Sequence, residues 1–185
     1  MTQTSSAFLT EMNAAPRDAA LRMIAPMAER SDWVAEAVVD QRPFADDMTL
    51  ALALVEALLA APAPRRTAMF RAHPELAGRE AIEGSMTEAS TGEQGRLGLL
   101  SLDPRSHARL SRLNATYRSR FGYPFIIALH RVPDLDTLFA RFEARLHADP
   151  VEEHVTTLAE IASVIRARTI QVFASNSLPL ETQNI

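Results

Sequence analysis

His73 is the side chain whose position in this sequence best suits proton transfer. Pro74 disfavours helical geometry in the residue before it, so His73 lies where a predicted helix ends and a long polar segment, residues 74–89, begins. An imidazole titrates near neutrality and can act as a general acid or base from such a place. The position also suits a histidinium stabilised by the C-terminal dipole of a helix, and the spacing alone does not decide between the two.

A hydroxyl and a carboxylate follow at the start of the next predicted helix. Ser90-Thr91-Gly92-Glu93-Gln94 has the S-x-x-E pattern of a capping box. This pattern predicts Ser90 as the N-cap residue and Glu93 as the side chain that reaches back to it. A helix N-terminus also attracts anions, so the same two residues are candidates for a substrate site.

The last predicted helix places an arginine beside its apolar face. Arg168 comes three residues after Ile165 and four before Val172, whereas Arg166 falls on the solvent side of the same helix. A guanidinium at this border either extends along the surface to water or binds a carboxylate in a pocket through two parallel hydrogen bonds.

Composition excludes several kinds of chemistry. The 185-residue chain has no cysteine, which excludes disulfides, thiolate nucleophiles and cysteine-based metal sites. All 19 basic residues are arginine, so there is no lysine for a pyridoxal-phosphate Schiff base or for a Walker-A phosphate site. The histidines other than His73 lack the i, i+4 spacing of a helical metal site, so we predict no metal.

Charge and hydropathy favour a cytoplasmic protein. The net charge is −4, and the most apolar stretch, Leu50 to Ala61, is far shorter than the roughly 20 residues that cross a bilayer. The N-terminus lacks the basic region of a secretory signal. Six arginines between Arg96 and Arg120 could contact nucleic acid, but in an acidic chain a solvated face paired with carboxylates is the favoured interpretation. We therefore expect no membrane partner and no nucleic-acid partner.

The elements that must position these residues are helices. Alanine is abundant, glycine is scarce, and β-branched runs with period two are almost missing, which predicts a single compact all-α domain of about eight helices. We expect this domain to cover residues 1–175 and a flexible C-terminal tail to cover residues 176–185. The predicted helices cover residues 5–12, 16–30, 32–40, 48–61, 65–72, 90–101, 104–121, 134–147 and 151–174. The aromatic run from Tyr123 to Leu129 suits extended structure.

The candidate residues belong to longer motifs in a fixed order. These are HPELAG at residues 73–78, STGEQ at 90–94, LNATY followed by RFGYPFI at 113–126, and Glu160-Ile161 ahead of Arg168. They resemble the HPxLAG, SxxEQ, LNxxYxxKFGxPFI and EI…RL motifs of the OHCU decarboxylases, where OHCU is 2-oxo-4-hydroxy-4-carboxy-5-ureidoimidazoline. The resemblance extends from about residue 7 to residue 173. Arg120 in place of lysine and Thr169 in place of leucine depart from the family pattern.

This resemblance implies decarboxylation of OHCU to (S)-allantoin in urate catabolism, by an all-helical homodimer that uses no cofactor. The residues it implies are His73, Glu93 and Arg168 for catalysis and Pro74, Ser90, Phe125 and Ile126 for substrate binding. Two alternatives stay open. One is the same scaffold acting on another small ureido or carboxylate compound, and the other is a non-enzymatic helical interaction module.

Overall fold

The predicted all-α fold is confirmed. A computed structural model describes residues 7–28, 30–78, 81 and 83–175, and this part of the chain contains nine α-helices and no strand. The helices are α1 (Ala7–Ala14), α2 (Arg17–Ile24), α3 (Asp32–Val39), α4 (Asp47–Ala60), α5 (Ala63–Ala72), α6 (Glu88–Arg96), α7 (Pro104–Phe121), α8 (Leu135–Arg145) and α9 (Pro150–Ser175). Short 3₁₀ turns cover Ala25–Ala28, Leu99–Ser101 and Leu129–Arg131.

The chain forms two compact units. The first comprises Met1–Ala61 and Ala162–Ile185, and the second comprises Pro62–Ile161, so α9 contributes residues to both. The predicted tail, residues 176–185, lies outside the described residues, and the domain boundary at residue 175 stays a prediction.

In the first unit, a short segment joins α3 to α4, and side-chain hydrogen bonds tie it to α1 and α3. Asn13 Nδ2 donates to the carbonyl of Phe44 at 2.8 Å, and its Oδ1 accepts from the Phe44 amide at 2.9 Å. Arg42 donates to the carbonyls of Met12, Ala15 and Val39 at 2.7–2.9 Å. Both polar groups of the Asn13 amide are therefore used, and three main-chain carbonyls near the segment have a charged donor.

In the second unit, α7 has well-defined ends. Asp103 is its N-cap and accepts hydrogen bonds from the amides of Arg105 and Ser106, while Gly122 ends it with a φ of +79° that favours glycine. The buried face of α7 supplies Tyr117, whose ring packs edge-on against Phe125 and Phe142. The rings of Phe125 and Phe142 are stacked 3.8 Å apart, so these aromatics form the core of the unit.

Several helix boundaries differ from the predicted ones. The helix predicted over residues 16–30 ends at Ile24 and gives way to a 3₁₀ turn, because Pro26 has no amide to donate. Helix α5 begins at Ala63, two residues earlier than predicted, since Pro64 fits the first helical turn, where amides need no intrahelical partner. Residues 123–128 form neither helix nor strand, although every one of them is buried.

Within the described residues, no single helix is both long and apolar enough to span a membrane. Helices α4 and α5 would pass together by length and composition, but a bend of 111° separates them. The same part of the chain contains no group of three or more histidine or acidic residues placed to hold a metal ion.

Candidate functional site

His73 is the last residue of the turn that ends α5. It takes extended backbone angles, as Pro74 requires, and it is half-buried. Its Nδ1 atom lies 2.9 Å from the carbonyl oxygen of Met69, one helical turn earlier. A carbonyl only accepts hydrogen bonds, so this contact places a proton on Nδ1 and makes Nε2 the basic nitrogen of the neutral ring.

The loop that contains Pro74 is fixed at the peptide group between Leu76 and Ala77. The carbonyl of Leu76 accepts a hydrogen bond from Asn114 Nδ2 of α7 at 3.0 Å, and the amide of Ala77 donates to Gln94 Oε1 of α6 at 2.9 Å. Ala77 has a φ of +47°, a left-handed conformation that is unfavourable for a residue with a Cβ atom. Sequence reasoning did not select Gln94 or Asn114, although both belong to the motifs described above.

A close approach makes glycine necessary at the end of this loop. A Cβ atom on Gly78 would lie 2.7 Å from the Cβ of Glu75, closer than the two carbon atoms can approach. Glu75 is held in turn by Arg118 of α7, whose Nε atom lies 2.8 Å from its carboxylate. The HPELAG motif therefore encodes a compact turn as well as a histidine.

The prediction that Ser90 caps α6 is wrong. The helix begins at Glu88, and Thr87 is the N-cap, with its Oγ1 accepting a hydrogen bond from the Ser90 amide at 3.3 Å. Thr87 is itself a good capping residue, and Glu88 and Ala89 suit a first turn, so the helix starts three residues earlier than predicted. Ser90 is consequently a buried residue of the first turn, and Glu93 lies about one turn further on, half-buried.

The predicted substrate-binding segment, Phe125-Ile126, is held by a largely buried arginine. Arg145 Nη1 donates to the carbonyl of Ile126 at 2.8 Å, and the guanidinium lies 4.5 Å from the centre of the Phe125 ring. A buried segment outside helices and sheets must find other partners for its main chain, and Arg145 is one of them.

A buried carboxylate fixes Arg145. Glu153 of α9 is fully buried and accepts hydrogen bonds from Nε of Arg145 at 3.0 and 3.1 Å, and a closer one from Nη2. Tyr117 also donates a short hydrogen bond to this carboxylate, and Thr157 donates another at 3.2 Å. Burial and the hydrogen bond to Glu153 raise the pKa of Tyr117 well above its usual range, so the phenol stays protonated and acts as a donor.

Two more charged side chains hold the rest of the segment. Glu160 Oε2 accepts from the Ala128 amide at 2.9 Å, and Arg96 of α6 donates to the carbonyl of Val132 at 2.9 Å and, more closely, to that of Leu129. Arg96 therefore ties the segment to the helix that carries Glu93. Local sequence patterns do not reveal these contacts, because the partners are 32 to 36 residues apart.

His130 lies within this group of charges. Burial lowers the pKa of His130, and the negative charge of Glu93 acts in the opposite direction.

The second unit contains the segments of six predicted residues, which are His73, Pro74, Ser90, Glu93, Phe125 and Ile126. Gln94 links the His73 loop to α6, and Arg96 links α6 to the segment that follows Ile126.

Arg168 belongs to the first unit. It is only 7% exposed, whereas Arg166 is exposed, so the predicted helix face is confirmed. Thr169, which departs from the family pattern, is fully buried and donates from Oγ1 to the carbonyl of Ile165 at 2.8 Å. The hydroxyl is thereby satisfied within the helix, and the buried position is kept without the usual leucine.

The arginines between Arg96 and Arg120 are mostly engaged within the second unit. Arg96 and Arg120 donate to main-chain carbonyls, and Arg109 and Arg118 bind Glu143 and Glu75 respectively. A surface groove of about 560 Å³ lies along α7, and its lining includes none of the predicted site residues; it is lined by Arg105, Ser106, Ala108, Arg109 and Arg112.

A family model described as OHCU decarboxylase matches residues 13–169. The chain belongs to the OHCU decarboxylase family. Among curated OHCU decarboxylases, that of Amia calva is 36% identical over 142 residues, 77% of this chain and 81% of that protein. The enzyme of Mus musculus is 35% identical over 151 residues, 82% of this chain and 84% of that protein.

A solved structure has the same fold. The crystal structure of an (S)-allantoin synthase superposes with a TM-score of 0.70 at 21% identity, covering 89% of this chain and 54% of that one. The OHCU decarboxylase match over residues 13–169 includes every predicted site residue, from His73 to Arg168.

Proposed function

We propose that this chain catalyses the decarboxylation of OHCU to (S)-allantoin in urate degradation. The observation that carries the proposal is the family match over residues 13–169, a range that contains all the predicted catalytic and substrate-binding residues. The half-buried His73, whose Nδ1 is bound to a carbonyl so that Nε2 is the basic nitrogen of the neutral ring, supports the same assignment.

The chemistry needs little from the protein. When the bond between ring carbon C4 and the carboxylate breaks, CO₂ leaves and its bonding electrons stay on the ring. Many decarboxylases need a pyridoxal or thiamine cofactor to accept such a pair. In OHCU the adjacent imine accepts it, and the imine nitrogen takes up a proton from solvent. The 4-hydroxyl group then loses its proton as it becomes a carbonyl, and a proton added to one face of the neighbouring carbon gives the (S) product.

Three residues divide this work in the proposed mechanism. Arg168 binds and orients the anionic substrate through a planar guanidinium that matches a carboxylate. His73 exchanges a proton through Nε2, either with the 4-hydroxyl group or with the ring carbon. Glu93 either orients His73 or accepts hydrogen bonds from the ureido group. Pro74, Ser90, Phe125 and Ile126 complete the proposed substrate contacts. The proposal includes no cofactor.

The test must be stereochemical, because OHCU also decays spontaneously to racemic allantoin. The purified chain is added to urate with uricase and hydroxyisourate hydrolase, and loss of OHCU absorbance and optical rotation are followed together. We expect faster loss of OHCU and a dextrorotatory product. Racemic allantoin formed at the uncatalysed rate would exclude this activity.

Two other functions make different predictions. A relative that acts on another ureido or carboxylate compound would leave OHCU decay unchanged but would turn over a member of a panel of such compounds. A nucleic-acid-binding module would give a salt-dependent shift of DNA or RNA in a gel. The engagement of Arg96, Arg109, Arg118 and Arg120 by groups of the same unit disfavours this last function.

The proposal also includes a cytoplasmic homodimer without membrane or nucleic-acid partners. The basis for the dimer is the resemblance to the family, and the basis for the location is the charge and hydropathy of the sequence. Sedimentation equilibrium tests the dimer directly. A mass of about 20.4 kDa in solution, that of one chain, would contradict it.

A further inference from the structure

Two buried amide side chains hold the two polar atoms of one peptide group, three residues after His73. Gln94 Oε1 accepts from the Ala77 amide at 2.9 Å, and Asn114 Nδ2 donates to the Leu76 carbonyl at 3.0 Å. Gln94 is 3% exposed and Asn114 is 7% exposed, so water has little access to either contact. The peptide group between residues 76 and 77 is consequently fixed both in position and in orientation.

Two features of this arrangement are unfavourable for the stability of the folded chain. Asn114 Oδ1 is buried and has no hydrogen-bond partner, although a carbonyl oxygen of this kind normally has one. Ala77 is held at a φ of +47°, where a residue with a Cβ atom is strained. Unfavourable local features that persist in a well-packed unit point to a functional constraint.

We infer that Gln94 and Asn114 are positioning residues for His73, an inference that rests on the proposed function. His73 is bound on its helical side through Nδ1 and the Met69 carbonyl. On its other side, the fixed peptide between residues 76 and 77 limits the conformations that the loop can adopt. Gln94 directly follows Glu93, so the same contact ties the loop of one predicted catalytic residue to the helix of another.

The two amides act through opposite atoms, which allows a sharp choice of variants. Gln94 accepts a hydrogen bond, so Gln94→Glu keeps the acceptor and Gln94→Leu removes it. Asn114 donates, so Asn114→Asp has the same shape but places an oxygen against the Leu76 carbonyl, whereas Asn114→Leu is merely apolar. A packing role predicts that kcat falls only in variants whose Tm also falls, whereas the positioning role predicts a lower kcat in Asn114→Leu at a nearly unchanged Tm.

We expect kcat to fall about 10- to 100-fold in Gln94→Leu and Asn114→Leu, further in Asn114→Asp, and less than about 5-fold in Gln94→Glu, because small misplacements of a catalytic group have effects of this size. KM should change by less than about 3-fold. Asn114→Leu removes one unpaired acceptor while leaving the Leu76 carbonyl unpaired, so its Tm should stay within a few degrees of the wild type.

Asn13 provides the matched control in the other unit. It also holds a loop main chain through its amide, but both of its polar groups are paired with Phe44. Asn13→Leu should lower Tm and leave kcat unchanged when activity is assayed well below the unfolding transition.

Three results would overturn the inference. A rise in KM with unchanged kcat would make the amides substrate contacts, a lower Tm with unchanged kcat would make them structural, and a kcat that falls only in variants with a lowered Tm would assign packing. Wild-type protein that fails to accelerate OHCU decay would instead refute the proposed function. In that case the role of Gln94 in fixing the loop is still tested, because hydrogen exchange of the Ala77 amide should speed up in Gln94→Leu and not in Gln94→Glu.

Discussion

Both units hold their non-helical segments through side-chain hydrogen bonds to the main chain, but they differ in how completely the polar atoms involved are paired. In the first unit, Asn13 and Arg42 fix the segment between α3 and α4 through contacts in which both polar groups of the asparagine are paired. In the second unit, Asn114 uses only its donor, while a left-handed residue occurs in each unit, Arg30 in the first and Ala77 in the second. A charged pair, Arg145 and Glu153, is buried there as well.

The difference follows the predicted chemistry. Six of the seven predicted site residues lie in the second unit, and only Arg168 lies in the first. Proteins tolerate unsatisfied or strained groups where a particular geometry is needed, and elsewhere selection for stability tends to remove them. The second unit should therefore contain positions at which activity and stability respond separately, and the first unit should contain few.

The largest expected effect comes from His73→Asn in the second unit. Asparagine keeps polarity and comparable size but cannot titrate, so we expect turnover of OHCU to fall by about 10²- to 10⁴-fold, the usual range for general acid–base groups. Tm should be unchanged, since the residue lies half-buried at a helix end. His107→Asn, at an exposed position of α7, serves as the control. Near-normal turnover in His73→Asn would remove this residue from the chemistry.

The next effect is on stability and concerns the buried pair. Glu153→Gln leaves the largely buried Arg145 guanidinium without its counter-charge, which should lower the free energy of unfolding by about 3–5 kcal/mol. The matched control is Glu143→Gln, which breaks the half-exposed pair with Arg109 and should cost less than about 1 kcal/mol. Urea unfolding of the two variants measures both. Equal losses would mean that burial does not distinguish the two ion pairs.

The buried pair also illustrates what sequence can predict. Helix ends marked by proline, aspartate or glycine were located within a few residues, and the spacing around Arg168 correctly placed it beside the apolar face of its helix. The start of α6 was misplaced because Thr87 and Ser90 are both good caps three residues apart. The structure of residues 123–132 could not be predicted, because distant charged residues, rather than neighbours, satisfy its main chain.

Arg168 is the one predicted site residue in the first unit, and a comparison with Arg166 of the same helix tests its role. Arg168→Gln removes a planar charged donor and should reduce kcat/KM by roughly 2–4 kcal/mol, by analogy with breaking a buried charged hydrogen bond. Arg166→Gln changes an exposed charge and should cost well under about 1 kcal/mol. Arg168→Lys should restore only part of the loss, because a point charge replaces a fork of donors.

Steady-state kinetics on these three variants decide the point. Equal losses at Arg166 and Arg168, or a loss at Arg166 alone, would mean that the predicted face of this helix is not the one that acts on the substrate. No loss at either arginine would make the contrast between the units sharper, with all the chemistry in the second.

The smallest effect concerns His154 of α9, another costly feature of the second unit. Its ring packs against Phe70 at 4.8 Å, and its Nε2 atom is buried without a hydrogen-bond partner. Burial lowers the pKa of His154, and the positive charge of Arg66 lowers it further. The imidazole is therefore harder to protonate in the folded chain than in the unfolded one.

This difference makes stability depend on pH in a defined direction. The unfolded histidine binds a proton below a pH of about 6.5, whereas the folded one stays neutral to a lower pH, so acidification favours the unfolded chain between these two values. The free energy of unfolding should fall more steeply from pH 7 to pH 5 in the wild type than in His154→Phe or His154→Gln. His130, whose pKa is also lowered, contributes equally to all three proteins. If His154→Gln and His154→Phe reduce the pH dependence of the free energy of unfolding equally, titration of His154 is its cause. If only Phe changes stability, and by the same amount at every pH, His154 acts solely through packing.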